Sequence, residues 1–284
     1  MNQAKKTIDV GRVKIGAGQP LAIIAGPCVM ESYDQCVQIG SAVRDRCAAL
    51  GFGYIFKGSF DKANRSSIGS PRGLGIDEGL RVMEKVKAEL GVPVTTDVHE
   101  SDQPKRIAPV IDLLQVPAFL CRQTDLLVAC AETQKTVNVK KGQFLSPAEM
   151  DNVINKLIES GAGETDGGIM LTERGTFFGY NRLVNDFVGV GDMVAGEWPV
   201  CFDVTHSTQQ PGGQGNASGG RPERAPLLAR CAVAAGVHAL FIETHPDPKS
   251  ALSDGATMLP LDQTLPLLGD LQRLHQVMGS MCCD

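Results

Sequence analysis

Four residues of the sequence carry side chains that could together bind one metal ion. They are a cysteine, a histidine and two acidic residues, namely Cys28, His206, Glu243 and Asp254. A thiolate, an imidazole and two carboxylates form a mixed donor set that suits zinc, iron, cobalt or manganese. The four are far apart in the chain and form no local motif, so spacing alone favours a buried structural role for Cys28. A fold that gathers all four at one place would favour the metal site.

A second set of residues is cationic and consists of Lys57, Lys62, Arg65, Arg122, Lys140 and Arg174. Two of its members, Lys57 and Lys140, interrupt otherwise apolar segments, where a lysine is costly unless an anion meets it. The segment KANRSS at 62–67 adds two hydroxyl groups beside Arg65 and could bind a second phosphate. The whole set predicts a small phosphorylated or carboxylated substrate. For any single member, an ion pair with a neighbouring acidic residue is an equally good interpretation.

Eight short apolar segments have the length and composition of buried strands, and helical patterns separate them. The strands are expected at 20–28, 53–60, 93–100, 112–119, 136–142, 168–175, 200–206 and 239–245. Helices are expected at 32–50, 77–90, 101–108, 124–133, 147–160, 223–236 and 261–278. This alternation predicts an α/β protein with one TIM (β/α)8 barrel over residues 1–284, preceded by a short hairpin at 7–15. An open doubly wound sheet is the alternative, although no dinucleotide-type glycine fingerprint follows the first strand.

A TIM barrel would bring the candidate residues together, because function in this fold lies at the carboxyl ends of the strands. The side chains expected at those ends are Cys28, Lys57, Asp97, Gln115, Lys140, Arg174, His206 and Glu243. Asp254 lies in the loop that follows the last strand. The loop at 207–222 contains five glycines, which favours a mobile lid or a contact with a neighbouring subunit.

Bulk composition excludes several classes of protein. The 284 residues carry a formal net charge of −5, so no global field attracts nucleic acid or a membrane surface. No apolar run approaches the length of a membrane span and no signal-peptide pattern follows Met1, so a cytoplasmic protein is expected. The nine cysteines are scattered and mostly inside apolar segments, which predicts reduced core thiols rather than disulfides.

Eight motifs along the chain identify a family resemblance: AGPC, FKGSFDKANRSS, TDVH, PAFLCRQTDLL, NVKKGQFLSP, LTERG, DVTHS and SDG. Together they resemble the 3-deoxy-D-manno-octulosonate 8-phosphate synthases, also called 2-dehydro-3-deoxyphosphooctonate aldolases, over nearly the whole chain. The related heptulosonate 7-phosphate synthases, which use erythrose 4-phosphate, carry a KPRTSP-type segment in place of KANRSS. The octulosonate branch is therefore favoured, with the heptulosonate reaction as the alternative.

The resemblance implies a homotetrameric barrel that condenses phosphoenolpyruvate with D-arabinose 5-phosphate and water, releasing inorganic phosphate on the route to lipopolysaccharide. The residues that would hold phosphoenolpyruvate are Lys57, Lys62, Gln115, Lys140 and Arg174. The residues that would hold the pentose phosphate are Asn64, Arg65 and Ser66, with Arg122 reaching across a subunit boundary and Asp97 also in the substrate site. Catalytic roles are expected for His206, Lys62, Asn64 and Asp254.

Members of this family divide into metal-dependent and metal-independent types. Metal-dependent members carry cysteine at the first ligand position, and metal-independent ones carry asparagine there. The residue in this chain is Cys28, and the segment SDGATM also resembles the metal-dependent type. A divalent ion bound by Cys28, His206, Glu243 and Asp254 is therefore expected.

Two mechanistic alternatives remain open from the sequence. A class I aldolase would form a Schiff base on Lys57 or Lys140. A catalytically silent barrel would bind a sugar phosphate as a sensor or scaffold, although it would not need so complete a set of polar strand ends.

Overall fold

The computed structural model describes residues 5–65, 67–163, 167–177, 181–212 and 219–281. Its strands, in chain order, are β1 (Ile8–Val10), β2 (Val13–Ile15), β3 (Ala22–Gly26), β4 (Gly53–Lys57), β5 (Val94–Asp97), β6 (Leu113–Val116), β7 (Thr136–Lys140), β8 (Ile169–Glu173), β9 (Thr176–Phe177), β10 (Leu183–Val184), β11 (Val200–Asp203), β12 (Gln209–Gln210), β13 (Gly219–Gly220), β14 (Ala239–His245) and β15 (Leu259–Pro260).

The α-helices are α1 (Tyr33–Leu50), α2 (Ile76–Leu90), α3 (Gln103–Ile107), α4 (Thr124–Ala131), α5 (Met150–Glu159), α6 (Phe187–Val194), α7 (Ala225–Ala234) and α8 (Leu261–Met281). Short 3-10 helices occupy Ala118–Leu120, His206–Thr208, Pro222–Arg224 and Pro248–Ser250.

Eight parallel strands close into a barrel. The order runs β3, β4, β5, β6, β7, β8, β11 and β14, and β14 pairs with both β11 and β3 to close the ring. Every residue of β3, β5, β6, β7, β8, β11 and β14 is buried, as expected for strands with helices on one side and a filled interior on the other. The TIM barrel is confirmed, and the open doubly wound sheet is wrong because an open sheet leaves its edge strands unpaired.

The predicted N-terminal hairpin is also confirmed, and it packs against the amino-terminal end of the barrel. Strands β1 and β2 pair in antiparallel register, with Ile8 opposite Ile15. Thr136 Oγ1, at the start of β7, donates to Asp9 O at 2.9 Å. A side chain at Gly168, just before β8, would overlap Ile8. The hairpin therefore covers one pole of the barrel and leaves the carboxyl-terminal pole for chemistry.

Most barrel strands end earlier than the sequence predicts, and one helix was not predicted. Cys28 follows the end of β3 and His206 begins a 3-10 helix beyond β11. The unpredicted helix, α6, contains two glycines and three valines, which have low helix propensity. Its N-cap explains its position, because the Asp186 side chain accepts a hydrogen bond from Val188 N.

The glycine-rich loop at 207–222 is partly ordered by short elements. Gln209 and Gln210 pair with Gly220 and Gly219 in a small antiparallel ladder. Residues 213–218, to which the lid prediction also applies, lie outside the described residues. Within the described part of the chain, no helix is both long and apolar enough to cross a bilayer.

Candidate active site and metal centre

The close approach of β3 and β4 brings Cys28 onto the carboxyl-terminal rim. A Cβ at Gly26 would overlap the carbonyl oxygen of Lys57, so only glycine permits this spacing. Beyond the strands, the pairing continues as a parallel bridge between Val29 and Ser59. Cys28 is consequently buried at the end of β3, beside the end of β14.

Three of the four predicted metal ligands form a compact group. The ligand atoms of Cys28, Glu243 and Asp254 all lie within 4.8 Å of one another. Cys28 Sγ lies 3.3 Å from Asp254 Oδ2. His206 Nε2 faces the same group, 3.6 Å from Glu243 Oε2 and 3.8 Å from Asp254 Oδ2.

The chemistry of this group fits a divalent transition metal. Glu243 Oε2 is buried and has no hydrogen-bond partner among the residues that the structure describes, and a buried carboxylate oxygen without a partner is costly. Burial, together with the charge of Glu243, raises the pKa of the Cys28 thiol well above its ordinary value, although Lys62 opposes this effect. A bound cation would instead lower the pKa of the Cys28 thiol, because metal coordination deprotonates a thiol.

The orientation of His206 is set by Asp203, the last residue of β11. Asp203 Oδ2 lies 2.8 Å from His206 Nδ1, and Asp203 Oδ1 accepts a hydrogen bond from His206 N at 2.9 Å. Burial alone would raise the pKa of Asp203, but His206 and Lys140 lower it far below the ordinary range. With Nδ1 beside this carboxylate, Nε2 is the ring nitrogen directed at Glu243 and Asp254, as in metal sites where a carboxylate orients a histidine ligand.

Glu243 also belongs to a buried ion pair at the end of β14. Its Oε1 lies 2.5 Å from Lys57 Nζ and 3.9 Å from Lys62 Nζ. Burial would raise the pKa of Glu243, yet Lys57 and His206 lower it to about 2. Lys57 Nζ also donates to the carbonyl oxygens of Pro27 at 3.1 Å and Cys28 at 2.7 Å, so all three of its protons are used. Direct contact between Lys57 and a substrate would require it to exchange one of these acceptors.

Lys140 and Arg174 form a second cationic group at the ends of β7 and β8. Lys140 Nζ lies 2.6 Å from Asp203 Oδ2 and 3.7 Å from the centroid of the Phe241 ring. Burial lowers the pKa of Lys140 despite the opposing charge of Asp203. Arg174 donates from Nη2 to Gln209 Oε1 and, at 3.3 Å, to the carbonyl of His206. Its Nε is buried without a partner in the described chain, which leaves a donor for an anion.

Asp97 and Gln115 lie beside each other at the ends of β5 and β6. Asp97 Oδ2 lies 3.1 Å from His99 Nε2. Burial would raise the pKa of Asp97, but Lys62 and His99 lower it well below its ordinary value. Asp97 Oδ1 and Gln115 Oε1 are both buried and have no hydrogen-bond partner in the described part of the structure. Each of these residues therefore has a buried oxygen atom that is available to a ligand.

The remaining candidates lie in the loops after β4 and β6. Asn64 is exposed in the loop after β4, and Ser66 lies outside the described residues. Arg65 donates from Nη1 to Ser253 Oγ at 2.6 Å and from Nη2 to Leu252 O at 3.2 Å. Arg122 is exposed.

Comparison with known proteins decides the family. The family model described as the DAHP synthetase I family matches residues 2–277. The chain belongs to the DAHP synthetase I family. Members with a curated name that are similar over nearly the whole chain are called 2-dehydro-3-deoxyphosphooctonate aldolase. The one from Cyanothece sp. is 55% identical over 267 residues, 94% of this chain and 96% of the relative.

Two further family members carry the same name. The protein from Methylobacillus flagellatus is 50% identical over 264 residues, which cover 93% of this chain and 94% of the relative. The protein from Brucella ovis is 49% identical over 277 residues, which cover 98% of this chain and 99% of the relative. The resemblance inferred from the motifs is thereby confirmed, and the heptulosonate alternative is not favoured.

Three residues that organise the site in this member of the DAHP synthetase I family were not predicted from the sequence. Asp203 holds both His206 and Lys140, Gln209 accepts from Arg174, and Ser59 Oγ accepts from Lys62 Nζ at 2.9 Å. The spacing of Asp203 and His206, three residues apart at a strand end, is a signal that could have identified the first. Ser59 lies in the strand predicted at 53–60 and Gln209 in the loop predicted at 207–222, and neither position carries such a signal.

Proposed function

We propose that the chain condenses phosphoenolpyruvate with D-arabinose 5-phosphate and water, giving 3-deoxy-D-manno-octulosonate 8-phosphate and inorganic phosphate. This reaction would be a step toward lipopolysaccharide, carried out in the cytoplasm. The observation that carries the proposal is the division of the cations on one rim. Lys62, Lys140 and Arg174 contact Glu243, Asp203 and the carbonyl of His206, respectively. Arg65 instead contacts Ser253 in the loop that bears Asp254. The names of the family members support the eight-carbon product.

Phosphoenolpyruvate would occupy the inner group of cations. Its phosphate and carboxylate together need several donors, which Lys62, Lys140, Arg174 and the Gln115 amide would supply. Arg174 would exchange Gln209 for the ligand and use its free Nε. Lys57 supports this subsite by holding Glu243 charged.

The pentose phosphate would occupy the outer position, on Asn64, Arg65 and Ser66, with Asp97 facing the sugar. Arg122 would complete that position from a neighbouring subunit of a homotetramer. Three exposed aromatic side chains support a subunit interface on the strand-end side near Arg122: Phe119, Phe144 and Phe177, which are 60%, 56% and 56% exposed. Apolar side chains of this size are usually covered in a stable assembly.

The reaction forms one carbon–carbon bond and breaks one carbon–oxygen bond. C3 of phosphoenolpyruvate attacks the aldehyde carbon of the pentose, water adds at C2, and the bond between C2 and the phosphate oxygen breaks. One hydrogen of the water ends on the former aldehyde oxygen, and the other leaves with the phosphate. Holding two anions in contact is the main task of the protein, and the separate cationic groups offset their repulsion.

Four residues at the junction of the two subsites are proposed to act on the reacting atoms. Lys62 and Asn64 would hold the oxygens that gain charge, and Asp254 would accept and return protons during the addition of water. His206 would lie beside the reacting carbons and orient them together with the metal. A divalent ion held by Cys28, His206, Glu243 and Asp254 would act as a Lewis acid toward an aldehyde or water oxygen.

Phosphate release tests the proposed function directly. Phosphoenolpyruvate is incubated with metal-loaded protein and arabinose 5-phosphate, erythrose 4-phosphate or no sugar. We expect rapid release with the pentose and little with the other two. Faster release with erythrose 4-phosphate would assign the heptulosonate reaction, and tight pentose binding without release would assign a sensor. Borohydride treatment should trap no covalent adduct, because Lys57 and Lys140 are both engaged with buried carboxylates.

A further inference from the structure

The segment that carries Asp254 is held from two sides by residues outside the metal-ligand group. On one side, Arg65 donates to Ser253 Oγ at 2.6 Å and to Leu252 O at 3.2 Å. On the other side, Glu31 Oε1 accepts a hydrogen bond from Leu252 N at 3.0 Å. Ser253 is only 3% exposed, so water competes little for its hydroxyl group. The position of Asp254 therefore depends on contacts with the two residues before it.

The backbone of Asp254 is in the left-handed region, with φ of 50°. Residues with a side chain adopt this conformation infrequently, so contacts on both sides of Asp254 help to maintain it. The carbonyl of Asp254 accepts hydrogen bonds from Thr257 N at 2.9 Å and Met258 N at 3.2 Å. These contacts hold the chain after Asp254, and the contacts of Leu252 and Ser253 hold the chain before it.

Arg65 has a donor to spare while it makes these contacts. Its Nε is buried and has no partner in the part of the chain that the structure describes. A guanidinium group offers five N–H donors in one plane, and the two loop contacts use two of them. Arg65 can consequently receive a phosphate oxygen and hold the 251–254 segment at the same time.

We propose that Arg65 and Ser253 couple the pentose-phosphate subsite to the metal site. The inference rests on the proposed function, in which Arg65 holds the pentose phosphate. A phosphate on Arg65 fixes the guanidinium group, which then fixes Ser253 and the carboxylate of Asp254 beside Cys28. The coupling is reciprocal, so the bound ion raises the affinity for the pentose phosphate by the same factor. Ser253 is a positioning residue, since it acts only through its neighbours.

The test compares metal affinity with and without a phosphate ligand. Dissociation of Co²⁺ from the loaded protein is measured by chelator competition, alone, with arabinose 5-phosphate and with inorganic phosphate, always without phosphoenolpyruvate. The variants are Ser253→Ala and, as matched control, Ser250→Ala. The Ser250 hydroxyl lies in the same loop but donates only to Asp247 O, at 2.8 Å. We expect the pentose phosphate to tighten Co²⁺ binding about fivefold or more in wild type and in the control.

In Ser253→Ala, the ratio of the two Co²⁺ affinities should fall close to one. A variant that weakens Co²⁺ binding equally with and without the pentose phosphate would assign the hydroxyl a structural role and overturn the coupling. A wild-type protein that releases phosphate normally but shows no tightening would overturn it as well. If wild type releases no phosphate from its substrates, the proposed function fails. The Co²⁺ affinity measured with inorganic phosphate still decides whether an anion bound at Arg65 affects the metal site through Ser253.

Discussion

Asp203 holds His206 at two points, with Oδ2 2.8 Å from the ring Nδ1 and Oδ1 accepting from the backbone N at 2.9 Å. The same carboxylate lies 2.6 Å from Lys140 Nζ. One buried acid therefore orients a proposed metal ligand and neutralises a proposed substrate-binding lysine. Asp203 therefore links the proposed metal binding to the proposed substrate binding.

Replacing that acid should affect both functions. We expect Asp203→Asn to weaken metal binding and lower kcat/KM by about 10–100-fold, because His206 loses the carboxylate that fixes its tautomer. Chelator competition and steady-state kinetics measure the two effects. Asp45→Asn is the control, since Asp45 is exposed and pairs only with the neighbouring Arg44. Unchanged metal affinity in Asp203→Asn would show that His206 needs no such orientation.

The thiol ligand gives the second prediction. Cys28→Ser keeps a similar side-chain volume but replaces a thiolate with a poor ligand, so the variant should lose its metal and most of its activity. Metal content by mass spectrometry and phosphate release are measured together. Cys231→Ser, a change on α7 away from the rim, should retain both. Undiminished turnover in chelator-treated Cys28→Ser would refute a role for the metal.

The pair of Lys57 and Glu243 predicts a large effect on stability. In Glu243→Gln, Lys57 keeps its charge but loses its buried partner, which should lower the free energy of unfolding by about 3–5 kcal/mol. Denaturant titration measures this change. Glu78→Gln breaks the exposed pair with Arg81 and should alter stability by about 0.5 kcal/mol or less.

A double replacement separates stability from function at the same pair. Lys57→Met with Glu243→Met removes both charges and should recover much of the lost stability while metal binding stays absent. A double variant as unstable as Glu243→Gln would show that packing, rather than an unpaired charge, causes the loss.

The sequence predicted the barrel and the meeting of its strand ends because both follow from local patterns. Apolar runs alternating with helices predict the ring, and the ring brings His206 beside Glu243. The contacts of Asp203 with Lys140 depend on how neighbouring side chains orient across the interior, which no local pattern encodes. The attachment of Arg65 to Ser253 joins residues 188 apart in the chain and was equally inaccessible.

His238 predicts a pH dependence of stability at the opposite pole. Its Nδ1 accepts a hydrogen bond from Val200 N at 3.0 Å, and burial lowers the pKa of the ring to about 4. In the unfolded chain the ring takes up a proton near pH 6.5, so the unfolded state binds more protons between these values. The contribution of the neutral His238 ring to the free energy of unfolding is therefore fully present above pH 6.5 and is lost as the pH falls toward 4.

The variant His238→Asn keeps an acceptor but does not titrate. Between pH 7 and pH 5, wild type should lose about 2 kcal/mol more unfolding free energy than this variant. His275→Asn is the comparison, because His275 is less buried than His238 and burial also lowers its pKa; its effect on stability should be smaller. A free energy of unfolding that changes equally with pH in wild type and in His238→Asn would contradict the assignment of the pH dependence to His238.

The central claim is that two anions and the metal-ligand group share one rim of the barrel. Phosphorus-31 relaxation tests it most directly, with phosphoenolpyruvate and arabinose 5-phosphate each bound alone to protein loaded with Mn²⁺ or with Zn²⁺. The account predicts that Mn²⁺ accelerates relaxation of both phosphorus nuclei and that Cys28→Ser abolishes the effect. Tight binding of both ligands with no acceleration by Mn²⁺ would contradict it.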